Sequence, residues 1–131
     1  KSYLNYSAFS RSGLIKQLEY EKYSTADATY GVDVQGADWN AQAVKSGKSY
    51  LAYSAFSRSG LIKQLEFEGF TTEQATIGTD SQSADWNAQA AKSAKSYLEY
   101  SSFSRDSLIA QLEFEGFTNE QALYGVIANG Y

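Results

Sequence analysis

One segment of this chain occurs three times, and that repetition constrains the fold more than any other feature. Residues 6–19 read YSAFSRSGLIKQLE, residues 53–66 repeat them word for word, and residues 100–113 form a diverged copy, YSSFSRDSLIAQLE. The copies are 47 residues apart. A period of this length is typical of a small supersecondary unit that stacks on its neighbours. We therefore divide the chain into repeats at residues 1–44, 45–91 and 92–131.

Capping signals divide each repeat into three helices, named A, B and C. A second repeated word, ADWNAQA, occupies residues 37–43 and 84–90, and its aspartates, Asp38 and Asp85, are predicted N-caps of helix A. Ser57 is the predicted N-cap of helix B, with Phe56 and Leu61 spaced to form a hydrophobic staple. Helix B is expected to run from about Arg58 to Glu68.

The end of helix B and the start of helix C are marked just as clearly. Gly69 suits the left-handed position of a Schellman cap, in which Phe70 contacts Leu65. Helix C then begins with a predicted capping box, formed by Thr71 with Gln74 and repeated by the residues at 118 and 121.

Three features of the sequence lead to more specific structural predictions. A stripe on helix A should be buried, and it consists of Trp39, Ala43, Gly47, Tyr50, Leu51 and Ser54. A glycine inside helix C, Gly78 or Gly125, predicts a close backbone approach to a neighbour. Lys22 replaces the cap glycine in the first repeat, so that turn should either adopt another cap or be the least stable corner.

These signals together predict an all-α protein of three tandem repeats of the helix-turn-helix type, stacked into one rigid body. We expect eight or nine helices, with residues 1–6 forming a shortened helix A. The chain has no methionine, so we expect a processed protein or a fragment, with any signal or anchor upstream.

The composition argues against catalysis. The chain has neither histidine nor cysteine, the residues that most often act as general base, metal ligand or thiol nucleophile. The glutamate pairs of helix B, such as Glu66 with Glu68, are two residues apart and point in different directions around a helix. No Ser-x-x-Lys motif is present. We predict that the protein is not an enzyme and that it needs no cofactor.

Metal and nucleic acid are also poor matches to this sequence. Asp27 and Asp33, like Asp80 and Asp85, flank a helix or a junction, but no D-x-D-x-D-G calcium loop occurs. Helix C of the second repeat reads TEQATIGT and has no basic residue, while the net charge of the chain is −4. A DNA-binding protein needs a basic surface, so we predict no nucleic-acid partner.

Aromatic triplets recur at the end of each helix A, as Tyr3/Tyr6/Phe9, Tyr50/Tyr53/Phe56 and Tyr97/Tyr100/Phe103. A tyrosine stripe can form a platform for a sugar or peptide, but this spacing favours core packing with hydroxyls that reach the surface. The repeated arginines at the start of helix B (Arg11, Arg58, Arg105) and the glutamines inside it (Gln17, Gln64, Gln111) are interpreted as structural.

The words SYLxYSxFSRxxLIxQLExE(G)F(T) and ADWNxQAxKSxKSYL resemble the repeat of the host cell surface-exposed lipoproteins. The resemblance covers nearly the whole chain and implies short-helix repeats exported in Gram-positive bacteria and their prophages. It further implies a protein held on the outer face of the cytoplasmic membrane by a lipid on an N-terminal cysteine, which this chain lacks. Resemblance to the phage-encoded members implies a role in superinfection exclusion, in which the DNA of a second phage is not injected into the cell.

The partner that this resemblance implies is an injected phage protein, with the tape measure protein as the first choice. An acidic helical surface is compatible with a basic or amphipathic helical partner. The predicted binding residues are the carboxylates around helix C of the second and third repeats: Glu66, Glu68, Glu73, Asp80, Glu113, Glu115 and Glu120. The alternative is a cell-envelope adhesion or wall-binding protein whose repeats add avidity. We expect a monomer in either case.

Overall fold

The computed structural model describes residues 3–131, apart from the side chains of Asn5 and Tyr6. Within this range the chain forms nine α-helices and no strand. The helices α1 to α9 span Tyr3–Tyr6, Arg11–Tyr20, Thr25–Asp33, Trp39–Tyr53, Arg58–Phe67, Thr72–Asp80, Trp86–Tyr100, Arg105–Phe114 and Asn119–Ala128. Helix A of the three repeats is α1, α4 and α7, helix B is α2, α5 and α8, and helix C is α3, α6 and α9. The predicted all-helical repeat architecture is confirmed, and α1 is the shortened helix A; residues 1–2 lie outside the described range.

The predicted helix starts are confirmed by their hydrogen bonds. Asp38 and Asp85 each accept from the backbone N–H three residues on, at 3.1 Å, at the start of α4 and α7. The Ser57 hydroxyl accepts from the Gly60 N–H at 2.9 Å. Each bond satisfies an amide that a helix start otherwise leaves unpaired. Capping boxes are present at Thr71 and Thr118.

The Schellman cap at the end of α5 has both of its hydrogen bonds. Gly69 has a φ of 104°, its N–H donates to the Glu66 carbonyl at 2.9 Å, and the Phe70 N–H donates to the Leu65 carbonyl at 3.2 Å. Phe70 and Leu65 are buried, as the hydrophobic contact of this motif requires. The predicted cap is therefore confirmed.

Lys22 makes the same turn as the glycines that it replaces. Its φ is 82°, its N–H donates to the Glu19 carbonyl at 2.9 Å, and the Tyr23 N–H donates to the Leu18 carbonyl at 3.2 Å. The turn after α2 therefore keeps the Schellman geometry, and the first alternative, another cap, is wrong. A lysine in left-handed conformation leaves this turn strained.

The buried stripe of α4 is confirmed except at its end. Ala43 and Gly47 are buried, and Trp39, Tyr50 and Leu51 are half-buried, but Ser54 is exposed. Ser54 was predicted to belong to the stripe and does not, because α4 ends at Tyr53 and the chain turns away there.

The described residues divide into two compact units, and the division passes through α4 and α5. The first unit is Lys1–Ser49 with Ile62–Gln82, and the second is Tyr50–Leu61 with Ser83–Tyr131. In the second unit α7 packs closely on α9. Buried residues of α7, α8, α9 and the turn between α8 and α9 form one cluster: Ala90, Ala94, Leu108, Leu112, Phe117, Ala122 and Val126. The stacking of all three repeats into one rigid body stays a prediction.

The aromatic triplets are only partly core. Tyr50 packs on Phe56 and Tyr97 on Phe103, edge to face, with ring centroids 5.7 and 5.8 Å apart. The middle tyrosines, Tyr53 and Tyr100, are 90% and 91% exposed, so the core interpretation is wrong for them. Each of these tyrosines is the last residue of its helix, three positions after the packed tyrosine. The phenylalanine that follows packs on the earlier tyrosine and leaves the middle tyrosine uncovered. The side chain of Tyr6 lies outside the described residues.

The arginine at the start of α2 has the structural role that was predicted. Arg11 forms a two-pronged ion pair with Asp33, the last residue of α3, with nitrogen–oxygen distances of 2.8 and 3.0 Å. In the third repeat, Gln111 donates to the hydroxyl of Tyr97 at 3.1 Å, which joins helix B to helix A.

Candidate partner-binding site

An exposed aromatic ring ends helix B in every repeat. Tyr20, Phe67 and Phe114 are the last residues of α2, α5 and α8, and they are 82%, 87% and 87% exposed. Each lies two residues after a leucine on the inner side of the helix, which is about 200° around the helix axis. The ring therefore points away from the side that the other helices cover.

A glutamate stands on each side of this ring. The three segments are Glu19 to Glu21, Glu66 to Glu68 and Glu113 to Glu115, and each reads glutamate, aromatic residue, glutamate. We call residues 19–21, 66–68 and 113–115 the acidic–aromatic turns. Two of them lie in the first unit and the third lies in the second unit.

The first glutamate of each turn is tied to the start of helix C. Glu113 accepts from the side-chain amide of Asn119 at 2.8 Å, and Glu19 accepts from the Thr25 hydroxyl at 2.6 Å. Glu66 accepts from the hydroxyl of Thr72 in the same way. This bond orders the carboxylate while it remains at the surface.

The second glutamate of the two later turns is directed inward. Glu68 accepts from the Ser46 hydroxyl and Glu115 from the Ser93 hydroxyl, each at 2.9 Å, and both serines are buried on helix A. Burial raises the pKa of the Glu115 carboxyl, and the hydrogen bond from Ser93 opposes that rise. These two residues act mainly as a support of the turn.

The backbone of the same turns is fixed by serines far away in the sequence. The Ser10 hydroxyl donates to the Glu68 carbonyl and the Ser57 hydroxyl to the Glu115 carbonyl, each at 2.6 Å. Both serines are buried and also cap the following helix B. The backbone beside Phe67 and Phe114 is thus fixed by the serine of a preceding helix B start, while the adjacent glutamate side chain is bound by a serine of helix A.

The remaining predicted residues lie on helix C. Glu73 and Glu120 are exposed in the first turns of α6 and α9, where the helix dipole favours a negative charge. Glu73 adjoins Thr72 and therefore lies beside the turn at 66–68. Asp80 is exposed at the other end of α6, about 10 Å along the helix axis from Glu73. The structure thus places Glu66 and Glu73 at the junction of α5 and α6, while Glu68 is turned toward α4 and Asp80 lies apart. In the same way Glu113 and Glu120 lie at the junction of α8 and α9, while Glu115 is turned toward α7.

The prediction from sequence missed the aromatic rings at the centre of these turns. Phe67 and Phe114 follow Leu65 and Leu112 by two positions, so they fall outside the apolar stripe of helix B. A large apolar residue off the stripe and between two glutamates was a readable signal of an exposed anchor. The carboxylates alone did not reveal it.

The described part of the chain offers little to other kinds of site. Its acidic residues do not gather into any cluster of three or more groups suited to a metal ion. None of its helices has the length and apolarity needed to cross a membrane.

Comparison with known proteins identifies one family. A family model described as "Host cell surface-exposed lipoprotein" matches residues 1–34, 38–80 and 85–128, and each matched segment contains one helix A, one helix B and one helix C. No curated protein and no solved structure gives a significant match. The family description places its members at the cell surface and names no catalytic activity.

Proposed function

The chain belongs to the host cell surface-exposed lipoprotein family, and on that premise we propose that it protects a Gram-positive cell from superinfection by blocking phage DNA injection. In this proposal a lipid anchor holds the protein on the outer face of the cytoplasmic membrane. The repeats then meet a protein that an adsorbed phage inserts into the envelope, with the tape measure protein as the first choice.

The observation that carries this proposal is the repeated exposure of a ring between two carboxylates. A ring more than four-fifths exposed buries almost none of its apolar surface in the described structure, and at Tyr20, Phe67 and Phe114 this happens at equivalent positions. Aromatic residues at the centre of an interface contribute most of the binding free energy at many protein interfaces. Because the same exposed ring recurs in each repeat, we infer that a partner would be contacted at several points.

The chemistry of the turns favours a basic or amphipathic helical partner. Its apolar face would cover Phe67 or Phe114, and its lysines or arginines would pair with Glu66 and Glu113, which stay at the surface. A cation that lies over the ring face adds a cation–π contribution of about 0.5 to 2 kcal/mol. The net charge of −4 would speed the encounter with a positively charged segment.

The proposal is tested by displaying the chain, fused to a lipoprotein signal, on a phage-sensitive host. Adsorption is measured as phage removed from the medium, and injection as phage DNA inside washed cells. We expect normal adsorption with strongly reduced intracellular DNA for at least one phage of a panel. Equal amounts of intracellular DNA with and without the displayed chain, for every phage, would contradict the proposal.

A second candidate function is adhesion to the cell wall, and the exposed tyrosines favour it. Tyr53 and Tyr100, at equivalent positions of α4 and α7, offer rings on which a sugar can stack. Retention on purified cell wall, lost when both tyrosines are replaced by serine, would support this function. Absence of retention would remove it.

A further inference from the structure

The side-chain amide of Asn129 joins α9 to α7 within the second unit. Asn129 is the first residue after α9, and its amide nitrogen donates to the Ala91 carbonyl at 2.9 Å and to the Gly125 carbonyl at 2.8 Å. A Cβ added to Gly125 would lie 2.8 Å from the carbonyl oxygen of Ala90, so the close backbone approach predicted at this glycine is confirmed. One amide nitrogen therefore bridges two helices where their backbones lie closest.

The second repeat makes the same bridge with a longer amide side chain. Gln82 stands 47 positions before Asn129, and its amide nitrogen donates to the Val44 carbonyl of α4 at 2.7 Å and to the Gly78 carbonyl of α6 at 2.9 Å. A glutamine thus serves the bridge as well as an asparagine does. The bridge needs an amide that donates to two carbonyls, and the two amides differ in their chemical stability.

Asn129 is the one asparagine of the sequence that is followed by a glycine. Of the others, Asn5 precedes a tyrosine, Asn40 and Asn87 precede an alanine, and Asn119 precedes a glutamate. Asparagine is among the residues that are chemically labile in proteins. A glycine after it favours attack by the next backbone nitrogen, because no Cβ hinders the approach. Glutamine would have to close a larger, six-membered ring, so Gln82 is far less reactive.

The nitrogen that would attack belongs to an exposed residue. Gly130 has a φ of 88°, and a Cβ added to it would meet no described atom within 4 Å. Its N–H donates to the Ile127 carbonyl at 3.0 Å, and bonds at a helix end open more readily than bonds in a helix centre. The equivalent residues Gly36 and Ser83 are exposed as well, although the chain continues after them. The exposure of this position is therefore a property of the repeat.

We propose that Asn129 is a site of spontaneous deamidation, which breaks the bridge between α9 and α7. When the last turn of α9 opens, the backbone nitrogen of Gly130 bonds to the side-chain carbonyl carbon of Asn129. The carbon–nitrogen bond of the amide breaks, and ammonia leaves with the proton from the Gly130 nitrogen. Water then adds to one of the two carbonyl carbons of the succinimide ring and opens it to aspartate or isoaspartate.

The product cannot make the bridge. A carboxylate at position 129 is an acceptor only, and the carbonyl oxygens of Ala91 and Gly125 are acceptors as well. Both hydrogen bonds of the amide are therefore lost, and the negative charge is repelled by the two oxygens that it faces. Deamidation thus loosens α9 from α7 in the third repeat, while the glutamine keeps the second repeat intact.

The first experiment locates the reaction. The parent chain and the variant Asn129→Gln are incubated folded at mildly alkaline pH, and deamidation of each peptide is followed by mass spectrometry. We expect conversion in the parent confined to the peptide that contains Asn129, and none in the variant or at Asn40, Asn87 and Asn119. A synthetic peptide of residues 124–131 gives the rate without the fold, and it should react about tenfold faster than the folded chain, because closing of α9 protects the site. If Asn129 stayed intact over about a hundred half-times of the peptide reaction, the site would be overturned.

The second experiment measures the effect on the bridge. Asn129→Asp reproduces the aspartate product, and its melting temperature should fall by about 4 °C or more relative to the parent. Ala128→Asp is the matched control, because it places the same charge at the exposed end of α9 without touching the bridge, and it should cost less. Asn129→Gln should melt close to the parent. Equal melting temperatures of Asn129→Asp and Ala128→Asp would overturn the loss of the bridge. Neither experiment involves a phage, so both are independent of superinfection exclusion.

Discussion

The hydroxyl of Thr79 is fully buried in α6 and has no hydrogen-bond partner within the described chain. The equivalent residues of the other repeats, Val32 and Val126, are buried valines. Thr79→Val should therefore raise the free energy of unfolding by about 1–2 kcal/mol, because an unsatisfied buried hydroxyl is removed. Urea unfolding measures this change. Thr76→Val on the same helix is the control, since it loses a hydroxyl that donates to the Thr72 carbonyl, and it should bring no gain.

The strained turn at Lys22 gives a second prediction at the residue scale. Lys22→Gly should raise the free energy of unfolding by about 1 kcal/mol, because glycine takes positive φ without steric cost. The reverse change, Gly69→Lys, should lower it by more, since a side chain there would also collide with the hydroxyls of Ser12 and Ser10. Thermal unfolding compares both variants with the parent. A melting temperature that Lys22→Gly leaves unchanged would contradict the strain at this cap.

Glu115 makes stability depend on pH. Burial raises its pKa in the folded protein, so the folded state keeps the proton to a higher pH than the unfolded chain does. The free energy of unfolding should then fall as pH rises from the ordinary glutamate pKa of ~4.3 to the raised folded value. Glu115→Gln should flatten this fall in urea unfolding at several pH values. Ser93→Ala removes the donor that lowers the pKa of Glu115, so the decrease in the free energy of unfolding should extend to higher pH. If Glu115→Gln kept the pH dependence of the parent, Glu115 would not be the group responsible.

At the scale of helices, Gly31 and Gly78 should respond differently to the same change, although they are 47 residues apart and hold equivalent positions in helix C. Gly78→Ala should lower the free energy of unfolding by about 1–3 kcal/mol, because the added methyl meets the Ala43 backbone. Gly31→Ala meets nothing closer than 3.8 Å among described atoms and should raise it by about 0.5–1 kcal/mol. Chemical denaturation of both variants checks the pair. Equal effects at the two positions would contradict this difference in packing around the two glycines.

The sequence predicted the helices well because their ends are local. Thr71 and Gln74, or Gly69 and Phe70, satisfy helix ends with groups within a few residues, so spacing alone identifies them. The packing between helices was harder, because it depends on contacts such as that of Ser57 with the Glu115 carbonyl, 58 residues away. The exposure of Tyr53 was predicted wrongly for the same reason: no local rule tells which side of a helix end another helix covers.

At the scale of the whole molecule, the repeats and the family were predicted from sequence, while the aromatic rings at the centre of the candidate site were missed. The repeated words identified the family, and its description is confirmed across all three repeats. The glutamates of the acidic–aromatic turns were named from sequence, but the exposure of Phe67 and Phe114 became evident only from the fold.

We propose that the exposed rings of the acidic–aromatic turns are the part of the protein that stops DNA injection. The most direct test measures intracellular phage DNA in cells that display the parent chain or a variant with Tyr20, Phe67 and Phe114 replaced by serine. The variant with Tyr53→Ser and Tyr100→Ser is the matched control, because those rings are similarly exposed but neither lies between two glutamates: Tyr53 has no flanking glutamate and Tyr100 has only Glu99. We expect the triple variant to restore injection about tenfold or more, at unchanged stability and display, while the control variant still blocks injection. Full protection by the triple variant would contradict the account.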